Sequence, residues 1–284
     1  MRVLVYDCSA GISGDMNLAA LIDLGADRDI LERELSKLNV HGEWKLECRR
    51  AAQAGIHGMR VDVLAHEHGH SGHSHEHHHR TMADIRRIIT ESGLPDAVQK
   101  TALSIFSLLA EAEAHVHGTT PDQVHFHEVG AVDSIIDIVG AAICLDLLRA
   151  DAVFTGPVEL GGGRVTCQHG VMPVPAPATA LLARHFQSTL NGTPHEATTP
   201  TGAAYIAAVA QPAPSPLSGR ITASGYGIGH REGLPLPNIL RVMLVETEEQ
   251  DTATERLTEL CANIDDMTPE QTAYPVSYTH LTLP

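Results

Sequence analysis

The sequence predicts an α/β fold: a mixed sheet with interleaved helices, plus a flexible His-rich loop. Three observations carry that reading. Val3 to Tyr6 is a short apolar run entering a Gly/Ser turn and then a helical pattern. Trp44 to Arg50 and Met59 to Ala65 alternate as strands around Gly55 and Gly58, a hairpin pattern. Ile135 to Leu148 is apolar nearly all round, as a fully buried helix would be. Strands interleaved with helices favour a sheet covered by helices.

The elements follow in order. After the first strand, a helix runs through Leu18, Leu21, Ile22 and Leu24 and ends at Gly25; a shorter one covers about Asp29 to Leu38. Behind the hairpin and the His-rich loop, Thr81 with Asp84 starts a helix in capping style. Pro95 opens a longer helix that runs to about Ala114 and stops at Gly118. A turn at Thr120-Pro121-Asp122 precedes the buried helix. From Ala152 the chain becomes rich in glycine and proline: Gly161-Gly162-Gly163 precedes a short strand, and Pro173 to Thr179 presets turns before a helix to Ala183. Thr198 to Ala203 opens an Ala-rich helix. Pro212 to Pro216 reads as a surface connector, Gly225 to His230 as a flexible turn, and Ile239 to Val245 as a strand. The expected division is an α/β domain over 1–246, an acidic linker and the start of a second domain over 247–270, and an aberrant or disordered tail over 271–284.

Composition narrows the function. A formal charge of −16 opposes nucleic acid and anionic lipid and favours cations. No run approaches the roughly 20 apolar residues of a membrane helix, and Arg2 to Tyr6 carries no signal-peptide pattern. Cysteines 8, 48, 144, 167 and 261 are odd in number and never spaced as CxxC, which fits a reducing cytoplasm rather than a disulfide framework.

The segment from His66 to His79 decides the chemistry. Eight of its fourteen residues are histidine (His66, His68, His70, His73, His75, His77, His78, His79) and none is apolar, so it cannot enter a core. Gly and Ser between the imidazoles let several reach one ion. Neutral imidazole suits nickel, copper, zinc and iron, with affinity rising towards nickel and copper. A polar surface loop or a purification tag is the bland alternative, but a tag sits at a terminus. Because these side chains titrate near pH ~6.5, metal affinity is expected to fall in mild acid.

A second constellation follows Val124. In extended chain, His125 and His127 point to one face. Glu128 comes next, and Asp133 and Asp137 lie one turn apart on the buried helix. Two such carboxylates repel unless a cation or donors neutralise them. His127, Glu128 and Asp133 are the expected catalytic set, and His125, His127, Asp133 and Asp137 the expected metal ligands beside the His-rich loop. The alternative is a capping Asp133 with structurally bonded histidines. Ser9, Gly11, Ser13, Gly14 and Asp15, and Thr199, Thr201 and Gly202, lie at helix starts suited to phosphate or to plain capping. Asp7 and Asp15 are candidates for a magnesium ion.

These stretches carry a family resemblance. "DCSAGISGDM", the His-rich loop, "HFHEVGAVDSIIDIVG", "HGVMPVPAPAT", "TTPTGAA", "GYGIGH", "PNILRVML" and "NIDDMTPE" occur in this order over about residues 1–270. Together they resemble the LarC family of nickel-insertion proteins in nickel-pincer cofactor biosynthesis. The resemblance implies a lyase-type activity: insertion of Ni2+ into a doubly thiolated pyridinium mononucleotide, with hydrolysis of CTP and a Mg2+ or Mn2+ ion. The product serves lactate racemase and related enzymes. It also implies nickel loading by His66 to His79, and His125, His127, Glu128 and Asp133 around the metal or the nucleotide. Family members continue into a second domain associated with CTP and oligomerisation, which the segment from Gln271 does not resemble. The CTP site is therefore expected to need that domain, from a separate chain, and the complete protein is expected to be a homo-oligomer. Two other readings stand beside it: a nickel store or metallochaperone without turnover, and a metal-dependent phosphohydrolase using Asp7, Asp15 and His127.

Overall fold

The computed structural model describes residues 1–40, 43–66, 80–124, 126, 132–167, 170–234 and 236–247. All lie in one unit, Met1–Glu248. In chain order the elements are β1 (Arg2–Asp7), α1 (Gly14–Leu24), α2 (Arg28–Leu35), β2 (Glu43–Gln53), β3 (Ile56–His66), α3 (Met82–Thr90) and α4 (Asp96–His117). There follow α5 (Val132–Leu148), β4 (Ala152–Thr155), β5 (Val158–Glu159), β6 (Arg164–Cys167), β7 (Gly170–Pro173) and α6 (Pro177–Leu182). The last are β8 (Ser188–Thr189), α7 (Pro200–Val209), β9 (Gln211–Pro212), β10 (Arg220–Ile228) and β11 (Ile239–Glu246).

A seven-stranded sheet in the order β2-β3-β10-β11-β1-β4-β9 organises the unit. It is mixed, as expected: β1 runs parallel to β4 and antiparallel to β11. Local signals explain the helix ends. Thr81 and Asp84 form a reciprocal capping box at α3, and Gly118 ends α4 in the left-handed region at φ 65°. α5 is buried along most of its length between α1, α2 and α4. Burying its aliphatic side chains stabilises the fold by about 1.5–3 kcal/mol each. No helix among the described residues is long and apolar enough to cross a membrane.

The glycines before His230 are a correction. Gly225 and Gly227 do not form a flexible turn; they lie inside β10, a nine-residue strand beneath α1. A Cβ at Gly227 would sit 1.9 Å from the Met16 carbonyl oxygen, and one at Gly225 2.2 Å from that of Ala20. Glycine here permits helix-to-strand contact rather than bending. Below this seam the Tyr6 hydroxyl donates to Asn17 Oδ1 at 3.0 Å and shares a 2.8 Å hydrogen bond with Tyr205. That buried network joins β1, α1 and α7.

Candidate functional site

The turn after β1 and the segment before α7 lie side by side. Ile12 bridges Thr198 in parallel, and the Thr199 amide donates to the Ile12 carbonyl at 3.0 Å. Such proximity requires glycine: Gly11 has φ +85°, and its Cβ would fall 2.0 Å from the Ala197 carbonyl oxygen. A Cβ at Gly202 would fall 2.3 Å from that of Ile12. The starts of α1 and α7 are thereby brought together. Their side chains are partly engaged. Ser13 Oγ donates to Asp15, while Thr199 Oγ1 accepts from the Gly202 amide at 3.3 Å and pairs with Thr201 Oγ1 at 2.9 Å.

A charged relay leads away from Asp15. Its Oδ2 meets His230 Nδ1 at 3.1 Å, His230 Nε2 meets Asp62 Oδ1 at 2.5 Å, and Arg49 pairs with Asp62 at 3.1 Å. The hydrogen bond to Asp15, with that to Asp62, raises the His230 pKa to about 9 against partial burial. With a carboxylate on each ring nitrogen, His230 is an imidazolium that donates twice and has no lone pair for a metal. Burial pushes the Asp15 carboxyl up, but the bonds from His230 and Ser13 outweigh it and hold the pKa below the ordinary value.

Asp137 is placed differently. It comes up from α5 beneath Gly14, where a Cβ would lie 2.7 Å from Asp137 Oδ2. Its Oδ1 is buried with no hydrogen-bond partner. Burial first, then the charges of Asp15 and Asp133, raise its pKa well above the usual carboxylate value. Asp133, one turn earlier, is exposed and accepts from the Ser134 amide at 2.8 Å. The point where α1 meets α5 thus carries an acceptor without a donor, a place suited to a proton or a cation.

Two cavities open beside these helix starts. The smaller, about 170 Å³, is lined by Ser13, Asp15, Thr199, His230 and Arg231 among others. The larger, about 410 Å³, lies between the end of α4, the β6–β7 hairpin and the starts of α6 and α7. Both touch Glu196, Thr199 and Arg231. Arg231 donates to the Glu196 carbonyl and lies 3.6 Å from its carboxylate.

Against protein families, the nickel insertion protein model matches residues 4–279. The chain belongs to the nickel insertion protein family. A family member from Akkermansia muciniphila, named pyridinium-3,5-bisthiocarboxylic acid mononucleotide nickel insertion protein, is 81% identical over 274 residues, covering 96% of this chain and 68% of that protein. Proteins of the same name from Clostridium kluyveri and Clostridium acetobutylicum are 49% and 48% identical, over 95% and 96% of this chain and 68% and 71% of their own lengths. No solved structure matches the chain.

Within this nickel insertion protein fold, the two helix-start segments Ser9–Asp15 and Thr199–Gly202 are neighbours, and Asp137 meets the first of them. Asp133 lies one turn away on the same helix. Asp7 and Asp15 are engaged within the protein: Asp7 by Arg241 at 2.5 Å and by the Ser9 amide, Asp15 by His230 and Ser13. Each carboxylate already has a partner within the protein. Of the His-rich loop, His66 is the last residue of β3, while His68, His70, His73, His75, His77, His78 and His79 lie outside the described residues. His125, His127 and Glu128 also lie outside them, on either side of buried Phe126. Among the described residues no three His, Cys, Asp or Glu converge as a metal cluster. Sequence reading missed Asp62, Glu196, His230 and Arg231. Only the "GYGIGH" motif drew attention to that corner.

Proposed function

We propose that this chain inserts Ni2+ into pyridinium-3,5-bisthiocarboxylic acid mononucleotide, as a chelatase-type lyase, giving the nickel-pincer cofactor of lactate racemase-type enzymes. The carrying observation is 81% identity along 96% of the chain to a protein named for that reaction. The geometry supports it: two helix starts, His230 and Arg231 border one cleft, and the orphaned Asp137 carboxyl lies beneath Gly14 at the start of α1. In this reading His66 to His79 collect nickel, and His125, His127, Asp133 and Asp137 bring it to the substrate. Thiocarboxylate sulfurs bind nickel more tightly than imidazoles do, so transfer runs towards the mononucleotide. The protein's task is to strip the ion of water and orient both reactants. Asp137, whose pKa burial raises, is the carboxyl assigned to meet the ion.

The finer assignments are part of the same proposal. CTP and its Mg2+ or Mn2+ ion are assigned to residues beyond those described, including the region after residue 247. His127, Glu128 and Asp133 are assigned to the reacting centre.

The density of histidine in the loop favours a second reading, nickel storage without turnover. Deleting residues 67–79 separates the two. An insertase lacking the loop still makes nickel-loaded product at high free nickel, with a raised nickel requirement. A store loses its whole function, and that outcome would overturn the insertase reading.

A further inference from the structure

Resting on the nickel-insertion reading, the question is where the organic substrate sits. Its chemistry sets the requirements: a flat cationic ring, a phosphate at the other end of a ribose, and two sulfur arms flanking one edge of the ring. Such a ligand needs an apolar wall for the ring and donors near the phosphate. We infer that the 410 Å³ cavity between α4, the β6–β7 hairpin and α7 seats the pyridinium mononucleotide, its phosphate at Arg231, Thr199 and Thr201 and its ring beside Phe126, Glu113 and Cys167.

Size and shape agree. Small-molecule sites fall at about 300–1,000 Å³, and this cavity joins the smaller polar one at Glu196, Thr199 and Arg231. Those shared residues mark the polar end. Glu113, His117, Phe126, Cys167 and Met172 line only the larger chamber and mark the other. The walls match the two ends of the ligand. Phe126, braced edge-on by Phe106 with ring centres 6.4 Å apart, lies with Val165 and Met172 along the apolar side. Glu113, on the same wall, lies 3.4 Å from His117 Nε2.

At the polar end, Arg231 has a side chain 41% exposed, and among the described residues its guanidinium pairs with Glu196. It can therefore turn towards a phosphate while Glu196 keeps the guanidinium in place. The first turn of α7 adds its positive end and the Thr201 hydroxyl. Another cavity, about 350 Å³ between α2, α4 and α5, lacks this pattern: its one cation, Lys37, is bonded to Glu34 at 2.5 Å.

Cys167 provides a direct reporter. It is half-buried at the cavity wall, while Cys48, also half-buried, lies on β2 and lines none of the three cavities. The full chain would be alkylated with iodoacetamide, with or without the corresponding pyridinium mononucleotide bearing carboxylates in place of thiocarboxylates. Binding would be followed by calorimetry and labelling mapped by peptide mass spectrometry. The expected result is at least fivefold slower labelling at Cys167 and no change at Cys48. Arg231→Met should raise the KM for the mononucleotide at least tenfold, with kcat altered less and the melting temperature kept, and Arg231→Lys should restore part of the loss. Unchanged labelling at Cys167 under saturating mononucleotide, or no binding at all, would overturn the assignment. So would an unchanged KM in Arg231→Met. Product formed without protection leaves nickel insertion standing and moves the substrate elsewhere. Protection without any product, even with the family's C-terminal domain supplied in trans, keeps this seat and removes the insertase reading.

Discussion

Asp15 and Asp137 meet across Gly14, and the fold treats them in opposite ways. Asp15 stands in the first turn of α1, where the helix end favours an anion, and both its oxygens are taken, by Ser13 and by His230. Its pKa is held down. Asp137 stands inside α5, where no amide is free to reach it, and one of its oxygens has no partner. Its pKa is pushed far up by burial and by the neighbouring carboxylates. An arrangement that served stability alone would satisfy both or replace the second with a hydrocarbon. The difference is one of partners: Asp15 is satisfied within the protein, and Asp137 keeps an acceptor without a donor.

Breaking the contact between them should have the largest effect. Gly14→Ala places a methyl against the Asp137 carboxyl and should cost about 1–3 kcal/mol in urea denaturation. Adding Asp137→Ala should return most of that loss, and a double-mutant cycle measures the coupling. If the two losses simply add, the contact is not the cause.

Asp137→Asn sharpens the comparison through pH. A carboxyl whose pKa is raised on folding contributes stability below its unfolded value near ~3.9 and loses it as pH rises through the folded value. The wild type is therefore penalised at neutral pH, and the neutral amide is not. The variant should be more stable at pH 8, by about 1–2 kcal/mol on the scale of an unsatisfied buried group, with no gain at pH 4. Nickel insertion should fall in the same variant. A uniform gain at both pH values would contradict the assignment.

The smallest effect belongs to His230. Its pKa is raised to about 9, so its contribution is complete below ~6.5 and disappears as pH rises through about 9. Half-exposed pairs are screened, and His230→Gln should cost on the order of 0.5–1 kcal/mol at pH 7. Denaturation at pH 10 should no longer distinguish it from the wild type.

Much of the fold was legible because its signals are local. The capping box at Thr81, the stop at Gly118 and the apolar girth of α5 each act within a few residues of chain. β10 was misread because glycine marks both flexible turns and tight contacts, and only the position of α1 above Gly225 and Gly227 decides between them. β4, only four residues long at Ala152–Thr155, is hidden by the glycine and proline that follow it. In the site, the two aspartates one turn apart on α5 drew attention for a physical reason that holds in the fold. Pairings such as His230 with Asp15 span 215 positions and leave no periodic trace. Nothing local could have announced them.

The central claim is tested most directly by incubating the purified chain with the bisthiolated pyridinium mononucleotide, Ni2+ and CTP, and weighing the small-molecule product. A species carrying one nickel per mononucleotide, formed by this chain alone or after the family's C-terminal domain is supplied in trans, is the predicted result. Failure of both mixtures, with nickel remaining on the protein, would contradict insertion and leave a protein that stores the metal.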